Sequence, residues 1–243
     1  MQQIVNPFVY DLVITHKLPN PTIPPWIGET YAQCYEDVTI LQLLYAYLTK
    51  LGRKEASISY VEIGANHPVC TSCFFLLQRT FGVRGILVEP NPKLAADLKK
   101  FRPDDVVIDA AVVATEEKQI DLYINPENEL STTNKNFVDT WEAGVKVQEK
   151  ITVNTVRVNE LLEQISAAEI MLLSIDVEGS DYEILTDIDY AKHRPFVILI
   201  EPSDHIIKNN SARISKFMKE QGYTLVIMNY VNMIFVDSEK LNA

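Results

Sequence analysis

The sequence predicts one Rossmann-like α/β domain, with a sheet of seven mostly parallel strands and helices on both faces. The length of 243 residues and the hydrophobic content of 47% suit a single globular domain. Apolar runs typical of buried strands alternate with helical stretches, which implies parallel strands joined by right-handed crossovers. The last two strands are joined only by Asn229 to Asn232. A connection that short makes this final pair antiparallel.

The chain begins with a segment that is predicted to be extended. Four prolines within seven positions exclude a helix there: Pro19, Pro21, Pro24 and Pro25. Residues 1–33 are therefore predicted to be a Pro-rich extension, followed by the main domain at residues 34–243. A helix opens this domain, because apolar residues at helical spacing follow Asp37 and Gly52 suits a C-terminal cap.

The remaining elements follow in chain order. The predicted strands of the sheet are Ile58–Ile63, Gly85–Val88, Val106–Asp109, Ile170–Ile175, Phe196–Ile200, Tyr223–Met228 and Met233–Val236. The predicted helices are Val69–Phe81, Pro92–Phe101, Gly179–Thr186 and Ser211–Gln221. Residues 112–169 are predicted to be a less regular insert, with strands at Ile120–Ile124 and Ile151–Val158 and a short helix at Val158–Gln164.

Composition excludes several classes of function. The net charge of −11 and the absence of a basic stripe argue against nucleic acid and anionic membranes as partners. No signal peptide is evident, and no apolar window reaches the roughly 18 residues of a membrane span. The odd number of cysteines, three, indicates a reducing compartment and hence a cytoplasmic location. Cys70 and Cys73 have the spacing of a redox pair or half a zinc site, but we expect inert helix residues near the core.

The first strand ends in a turn that is suited to ligand binding. In open α/β sheets the ligand lies beyond the carboxyl ends of the strands. The first strand here ends in Glu62-Ile63-Gly64-Ala65-Asn66. Gly64 lets the backbone turn sharply and lets a ligand approach without meeting a Cβ atom. Glu62 can accept a hydrogen bond from a ligand ammonium group.

The next two strand ends are also acidic. Glu89 directly follows the second strand, where a carboxylate can accept hydrogen bonds from both hydroxyls of a ribose. Asp109 ends the third strand and can accept a hydrogen bond from the exocyclic amine of an adenine. The small residues Ala110 and Ala111 follow at the place where the adenine ring would lie. The series of strand ends therefore indicates a nucleoside site.

The number of glycines in the first turn distinguishes between cofactors. A dinucleotide site needs Gly-x-Gly-x-x-Gly, so that a pyrophosphate can lie against a helix terminus. Here one glycine is followed by Asn66, His67 and Pro68. An acidic turn with one glycine suits a nucleoside whose other end is a sulfonium and an amino acid. The sequence therefore favours S-adenosylmethionine (SAM) over NAD.

Six segments resemble the FkbM-type family of SAM-dependent methyltransferases and cover about residues 30–203. They are Gln33-Cys34-Tyr35-Glu36-Asp37, Tyr60-Val61-Glu62-Ile63-Gly64-Ala65-Asn66, Val88-Glu89-Pro90-Asn91, Asp109-Ala110-Ala111-Val112, Ile175-Asp176-Val177-Glu178-Gly179 and Ile200-Glu201-Pro202. Pro68 and Asp181 depart from the usual pattern of the family. The resemblance implies the class I methyltransferase fold, with strand order 3-2-1-4-5-7-6 and strand 7 antiparallel. It also implies O-methylation of a hydroxyl, often on a sugar or a secondary metabolite.

The residues that are expected to bind SAM come from four strand ends. They are Glu62, Gly64, Ala65, Asn66, Glu89, Pro90, Asp109, Ala110, Ala111 and Asp176. The acceptor is expected to be a small molecule or a glycan. An NAD-linked oxidoreductase and a non-catalytic methyltransferase-fold module remain as alternatives. The sequence predicts neither the identity of the acceptor nor the oligomeric state.

Carboxylates at the fourth and fifth strand ends flank the expected acceptor site. A hydroxyl acceptor must lose its proton, either to a base or with help from a metal. One hypothesis is that Asp176 and Glu201 hold Mg²⁺ or a similar ion, with Glu178 or Asp204 assisting. The alternative is that these carboxylates bind the SAM amino group, backbone donors and substrate hydroxyls without a metal.

His205 and Asp176 are the predicted catalytic residues. An imidazole titrates near neutrality, and His205 follows the end of the fifth strand, which makes it the preferred general base. His67 in the glycine turn is the alternative base. The polar segment Ser131-Thr132-Thr133 is predicted either to contact adenine and cover the site or to be a solvated turn.

Overall fold

A computed structural model describes residues 30–52, 57–126, 130–140, 146–166, 170–205 and 207–242 of the chain. Most of the predicted Pro-rich extension, residues 1–29, lies outside the described residues. Within the described ranges, no helix is both long enough and apolar enough to cross a membrane.

The described part of the chain contains ten strands and eight helices. The strands are β1 (Ile58–Ile63), β2 (Arg84–Val88), β3 (Val106–Ile108), β4 (Ala111–Val113), β5 (Gln119–Ile124), β6 (Glu149–Arg157), β7 (Ile170–Ile175), β8 (Val197–Ile200), β9 (Tyr223–Met228) and β10 (Met233–Asp237). The helices are α1 (Glu36–Lys50), α2 (Phe75–Phe81), α3 (Pro92–Phe101), α4 (Lys135–Thr140), α5 (Val158–Leu162), α6 (Asp181–Asp187), α7 (Asn210–Glu220) and α8 (Ser238–Asn242).

Seven strands form the main sheet, in the order β3-β2-β1-β7-β8-β10-β9. Numbered within this sheet alone, the order is 3-2-1-4-5-7-6, as predicted. Neighbouring strands from β3 to β8 are parallel, and β10 is antiparallel to both β8 and β9. The order reverses between β1 and β7, where Ile63 pairs with Ile175. The ends of these two strands therefore flank the switch point at which open α/β sheets bind ligands.

Helices cover both faces of the main sheet. Successive residues of a strand point to opposite sides, and both sides of the central strands carry apolar side chains that the helices bury. Tyr60 and Val61 are adjacent in β1 and belong to two different hydrophobic cores. The core around Tyr60 includes residues of α1, α2 and α3, for example Leu98. The core around Val61 includes residues of α5, α6 and α7, for example Ile184 and Met218. The two cores hold the carboxyl edge of the sheet in a fixed position.

The predicted insert contains a second sheet, in the order β4-β6-β5. Strands β5 and β6 lie where the sequence predicted them. Strand β4 was not predicted; only two residues separate it from β3, and it pairs in parallel with β6. The buried side chains of Leu122, Ile124 and Val153 pack with Ala111 in a small separate core. The chain thus leaves the main sheet directly after β3 and carries the insert towards the carboxyl edge.

The helix predicted at Val69–Phe81 begins only at Phe75. Residues 69–74 instead fold back on the end of β1, where Ser72 and Cys73 donate hydrogen bonds to the buried carboxylate of Glu62. Cys70 and Cys73 are therefore loop residues, one exposed and one buried, and the prediction that they lie in a helix is wrong. Helical spacing of apolar residues did not reveal this buried polar contact, which decides the conformation.

Candidate active site

A cavity of about 430 Å³ lies at the carboxyl edge of the main sheet. Its volume is typical of a small-molecule site. Its lining brings together eleven of the predicted site residues: Glu62, Gly64, Ala65, Asn66, Glu89, Pro90, Ala110, Ala111, Asp176, Glu201 and His205. The insert contributes to the same lining through Leu122 and residues 130–133. The fold thus places residues from distant parts of the chain around one space.

Gly64 lies where the turn after β1 meets the end of β7. Its φ angle is +79°, and its N–H donates to the carbonyl of Val88 at 2.9 Å. A Cβ atom on this residue would lie 1.7 Å from the carbonyl oxygen of Asp176. The glycine is therefore required by the close approach of Asp176, a contact that the sequence did not predict, as well as by the turn itself.

Glu89 at the end of β2 is buried and held by two backbone donors. The N–H of Asn66 donates to Oε2 at 2.9 Å, and the N–H of Asn91 donates to Oε1 at 2.8 Å. Burial raises the pKa of Glu89 to about 7, and the two backbone donors oppose this increase. The donors fix the orientation of the carboxylate, while both oxygens keep lone pairs that can accept further hydrogen bonds. This is an arrangement that suits a ribose diol.

Glu62 lines the cavity but is already bonded within the protein. Its carboxylate accepts from the hydroxyl of Ser72 at 2.9 Å and from the N–H of Cys73 at 2.7 Å. Burial raises the pKa of Glu62, and the nearby Arg102 opposes this increase. The main contact of Glu62 in the structure is with the loop at residues 69–74, because that loop folds over the end of β1. Its hydrogen bond to a ligand ammonium group stays a prediction.

Asp109 does not lie where the sequence analysis expected it. Its side chain is exposed and is not among the described residues that line the cavity, whereas Ala110 and Ala111 are buried there. The chain passes from β3 into the insert at this point, so the carboxylate faces solvent. The structure therefore does not support the expected hydrogen bond from an adenine amine to Asp109.

The carboxyl groups of Asp176 and Glu201 are hydrogen-bonded to each other between the ends of β7 and β8. Burial, followed by repulsion from Asp176, raises the pKa of Glu201 to about 9. Burial, followed by repulsion from Asp181, raises the pKa of Asp176 to about 7. Two carboxyls in contact cannot readily both be ionised, so the pair holds one shared proton in the range between these two pKa values. In that range the pair has already lost its first proton and can accept one again.

Asp181 closes the turn that follows β7. Its two oxygens accept the N–H groups of Val177 and Gly179, each at 2.9 Å. Burial raises the pKa of Asp181 to about 6. Because Glu178 and Gly179 have φ angles of +58° and +107°, the helix predicted from Gly179 begins only at Asp181. This turn positions Glu178 in the lining of the cavity.

Three carboxylates of the site form a group that fits a divalent cation. Asp176, Glu178 and Glu201 each offer one oxygen, and these oxygens lie within 4.8 Å of one another. Hard cations such as Mg²⁺ prefer oxygen ligands of this kind. Asp204, the other assisting ligand considered from the sequence, is not in this group. It is exposed and accepts the N–H of Ser211 at 2.8 Å, in the first turn of α7.

The two candidate bases are in different positions. His205 lines the cavity on its exposed side. His67 is outside the described lining, and its Nδ1 accepts the N–H groups of Val69 at 3.1 Å and Cys70 at 2.9 Å. Of the two candidate bases, therefore, only His205 is among the described residues that line the cavity.

The polar loop of the insert covers part of the cavity. Its three predicted residues all contribute to the lining: Ser131, Thr132 and Thr133. The backbone of Thr132 exchanges hydrogen bonds with Tyr123, at 2.9 and 3.1 Å. Its hydroxyl donates to the carbonyl of Glu178 at 2.7 Å. The loop is thus attached both to the insert and to the turn after β7, and it is not a solvated turn.

Three residues that the sequence analysis did not assign to the site complete its lining. Gln33, Val231 and Asn232 line the cavity. The buried carboxylate of Glu36 holds this region together, since its Oε1 accepts from the side-chain amides of Asn229 at 2.7 Å and Asn232 at 3.1 Å. The segment around Glu36 was part of the family resemblance, but no local pattern marked Asn232.

Comparison with solved structures gives matches of low identity. The methyltransferase FkbM from Methylobacillus flagellatus KT is 12% identical, over 95% of this chain and 70% of that chain, with a TM-score of 0.43. The precorrin-6y C5,15-methyltransferase from Geobacter metallireducens GS-15 is 14% identical, over 79% and 85% of the chains, with a TM-score of 0.41. The N-terminal domain of human METTL16 in complex with SAH is 13% identical, over 93% and 77%, with a TM-score of 0.42.

Sequence comparison identifies the family. No curated protein gives a significant match. The family model of the methyltransferase FkbM domain matches residues 62–225, which is more than half of the chain and contains the ends of β1, β2, β7 and β8. The chain therefore belongs to the FkbM family of methyltransferases.

Proposed function

We propose that the protein transfers a methyl group from SAM to a hydroxyl of a small-molecule or glycan acceptor. One observation carries the proposal: a single cavity joins Glu89, which suits a nucleoside, to the proton-sharing pair of Asp176 and Glu201. Membership of the FkbM family supports methyl transfer. The single glycine of the β1 turn and the family match both argue against an NAD-linked oxidoreductase.

In this proposal the adenosine of SAM lies along the ends of β1 and β2. The ribose hydroxyls donate to Glu89, and the adenine lies beside Ala110 and Ala111. Five acidic side chains line the cavity, and the negative charge of those that are ionised favours a sulfonium cation: Glu62, Glu89, Asp176, Glu178 and Glu201. The described residues of the lining include neither lysine nor arginine.

Methyl transfer is an in-line displacement, so alignment of the reacting atoms supplies much of the rate. The acceptor oxygen bonds to the methyl carbon while the carbon–sulfur bond breaks, and the sulfonium becomes a neutral thioether, S-adenosylhomocysteine (SAH). The hydroxyl proton passes to ionised Asp176 or to His205. Protonated Glu201 donates a hydrogen bond to Asp176 and so holds that carboxylate in place.

A divalent ion held by Asp176, Glu178 and Glu201 would supply a Lewis acid that lowers the pKa of the acceptor hydroxyl. Exhaustive treatment with EDTA tests this part of the proposal. Activity that is lost with EDTA and restored by Mg²⁺ supports the ion. Full activity after chelation instead assigns the proton transfer to the protein side chains alone.

Thermal melting and calorimetry with SAM, SAH and NAD test cofactor binding, because a ligand that binds only the native state raises its melting temperature. SAM and SAH are expected to stabilise the protein, and NAD is not. Glu89→Ala is expected to weaken SAH binding by about tenfold or more, since it removes two charge-assisted hydrogen bonds. The exposed Asp97 on α3 offers a matched control, and Asp97→Asn should leave SAH binding unchanged. A protein that neither SAM nor SAH stabilises would contradict the proposed function.

A further inference from the structure

Asn232, in the turn between β9 and β10, has a buried side chain with only one of its two polar atoms bonded. The residue is 4% exposed, and its Nδ2 donates to Oε1 of Glu36 at 3.1 Å. Its Oδ1 is buried and has no hydrogen-bond partner among the described residues. Exchanging the two amide atoms would place an oxygen against the Glu36 carboxylate, so Glu36 determines which atom stays unpartnered.

Asn232 lies close to the residues that are proposed to take part in methyl transfer. The residue lines the same cavity as Asp176 and Glu201. In the antiparallel pair of β10 and β8, Met233 lies opposite Ile200, and the register continued by one residue sets Asn232 opposite Glu201. The start of β10 is separated from the cofactor turn of β1 by β7 and β8. Asn232 is therefore on the side of the cavity that is farther from the proposed nucleoside site.

We propose that Asn232 binds the methyl acceptor, with Oδ1 accepting a hydrogen bond from a hydroxyl or ammonium group next to the hydroxyl that is methylated. The proposal rests on the proposed function. A buried carbonyl without a partner is unfavourable, and a donor on the acceptor would satisfy it. Because Oδ1 is covered in this structure, acceptor binding includes a small movement of the turn at residues 229–232.

The charge of the cavity narrows the class of acceptor further. Its described lining has five acidic side chains and no lysine or arginine, so the ionised ones would repel a phosphate or carboxylate on the acceptor and no cation would offset that repulsion. Glu201 and Asn232 both carry side-chain oxygens that can accept hydrogen bonds on this side of the cavity. The acceptor is therefore a neutral or cationic molecule with at least two neighbouring hydrogen-bond donors.

The test uses probe acceptors with SAM in excess and SAH formation as the readout. The probes are methyl glycosides of neutral hexoses, 6-deoxyhexoses and amino sugars, compared with those of uronic acids and with hexose phosphates. Transfer is expected to the neutral or amino probes and not to the anionic ones. Asn232→Ala and Asn232→Ser should each lower kcat/KM for the acceptor by about tenfold, mainly through KM, with SAH affinity within about twofold of wild type.

Asn154 supplies the matched control, because it is an exposed asparagine of β6 and is not among the described residues of the lining. Asn154→Ala should keep the acceptor kcat/KM within about threefold of wild type. With SAH binding intact, three results would each overturn the inference. These are transfer to anionic probes, no transfer to any neutral or amino probe, and equal losses in the Asn232 and Asn154 variants. Failure of the wild-type protein to bind SAH would instead contradict the proposed function itself.

Discussion

The side chain of Asp176 is hydrogen-bonded to that of Glu201, and this contact joins the ends of the adjacent parallel strands β7 and β8. Neighbouring strands lie about 4.8 Å apart, so two acidic residues at adjacent strand ends are brought together by the sheet itself. A shared proton relieves their repulsion. The same pair lies between the cofactor turn of β1 and the proposed acceptor residue Asn232, in the turn before β10.

This pair makes the stability of the unliganded protein depend on pH. The pKa of Glu201 is raised to about 9, so the folded protein holds a proton that the unfolded chain releases above about pH 4.5. The contribution of this group to stability is therefore full below its unfolded pKa and is lost as pH rises towards 9. Glu201→Gln removes this loss of stability at high pH, because glutamine has no carboxyl to ionise. The variant is expected to be more stable than wild type at pH 8 by at least about 1 kcal/mol, or about 2–4 °C in melting temperature, with little difference at pH 4.

Melting curves from pH 4 to pH 8 measure this effect. The exposed Glu220 on α7 provides a control, since Glu220→Gln should follow the wild-type profile. A Glu201→Gln profile that is parallel to that of wild type would show that the carboxyl pair does not hold the proton.

Replacement of Gly64 is expected to be severely destabilising. Gly64→Ala forces a positive φ on alanine and places Cβ 1.7 Å from the carbonyl oxygen of Asp176. The conformational cost alone is about 1–2 kcal/mol, and the clash with backbone adds to it. Gly82→Ala is the matched control, because Gly82 has a φ angle of +65° and a Cβ atom added there would meet nothing within 4 Å. Urea unfolding should show a loss for Gly64→Ala that exceeds the loss for Gly82→Ala by at least about 2 kcal/mol.

The buried ion pair of Arg102 and Asp105 supports the loop beside the cofactor turn. Nε of Arg102 donates to Asp105 at 2.8 Å, while its other nitrogens donate to the hydroxyl of Tyr60 at 2.6 Å and the carbonyl of Pro68 at 3.0 Å. Arg102→Met leaves Asp105 buried without its cation and is expected to cost about 3–5 kcal/mol. The exposed pair of Arg84 and Asp104 is the comparison, and Arg84→Met should cost less than about 1 kcal/mol. Similar unfolding free energies for the two variants would contradict this interpretation.

Methyl transfer is expected to become faster as pH rises through about 7, because Asp176 must be ionised to accept the hydroxyl proton. Asp176→Asn should lower kcat by about 100-fold or more. Comparing His205→Gln with His67→Gln separates the two candidate bases, since only His205 lines the cavity. A change in the pH–rate profile for His205→Gln alone supports a base role for His205. An unaltered profile in that variant assigns the proton to Asp176.

Local sequence patterns were sufficient for the architecture and for part of the site. Continuous apolar runs marked the buried strands, and the short connection before Met233 required an antiparallel final pair. Residues that directly follow such runs, including Glu89 and Glu201, necessarily lie at the carboxyl edge, so their presence in the cavity lining followed from the strand assignment. The predicted start of α2 was wrong because the residues before Phe75 form a loop instead of a helical turn. Two of them donate hydrogen bonds to Glu62, which is ten or more residues away in the chain.

The sequence by itself determined which residues end the strands, since hydrophobic periodicity and turn chemistry are local properties of the chain. Only the tertiary structure decided how those strand ends interact. Asp109 is exposed because the chain leaves the sheet there, and Asp176 and Glu201 share a proton because β7 and β8 are neighbours. Glu36 and Asn232 are 196 positions apart, yet their hydrogen bond fixes the amide whose oxygen is left unpartnered at the cavity. Such contacts depend on distances between segments that are remote in the chain, and these distances exist only after the strands have assembled.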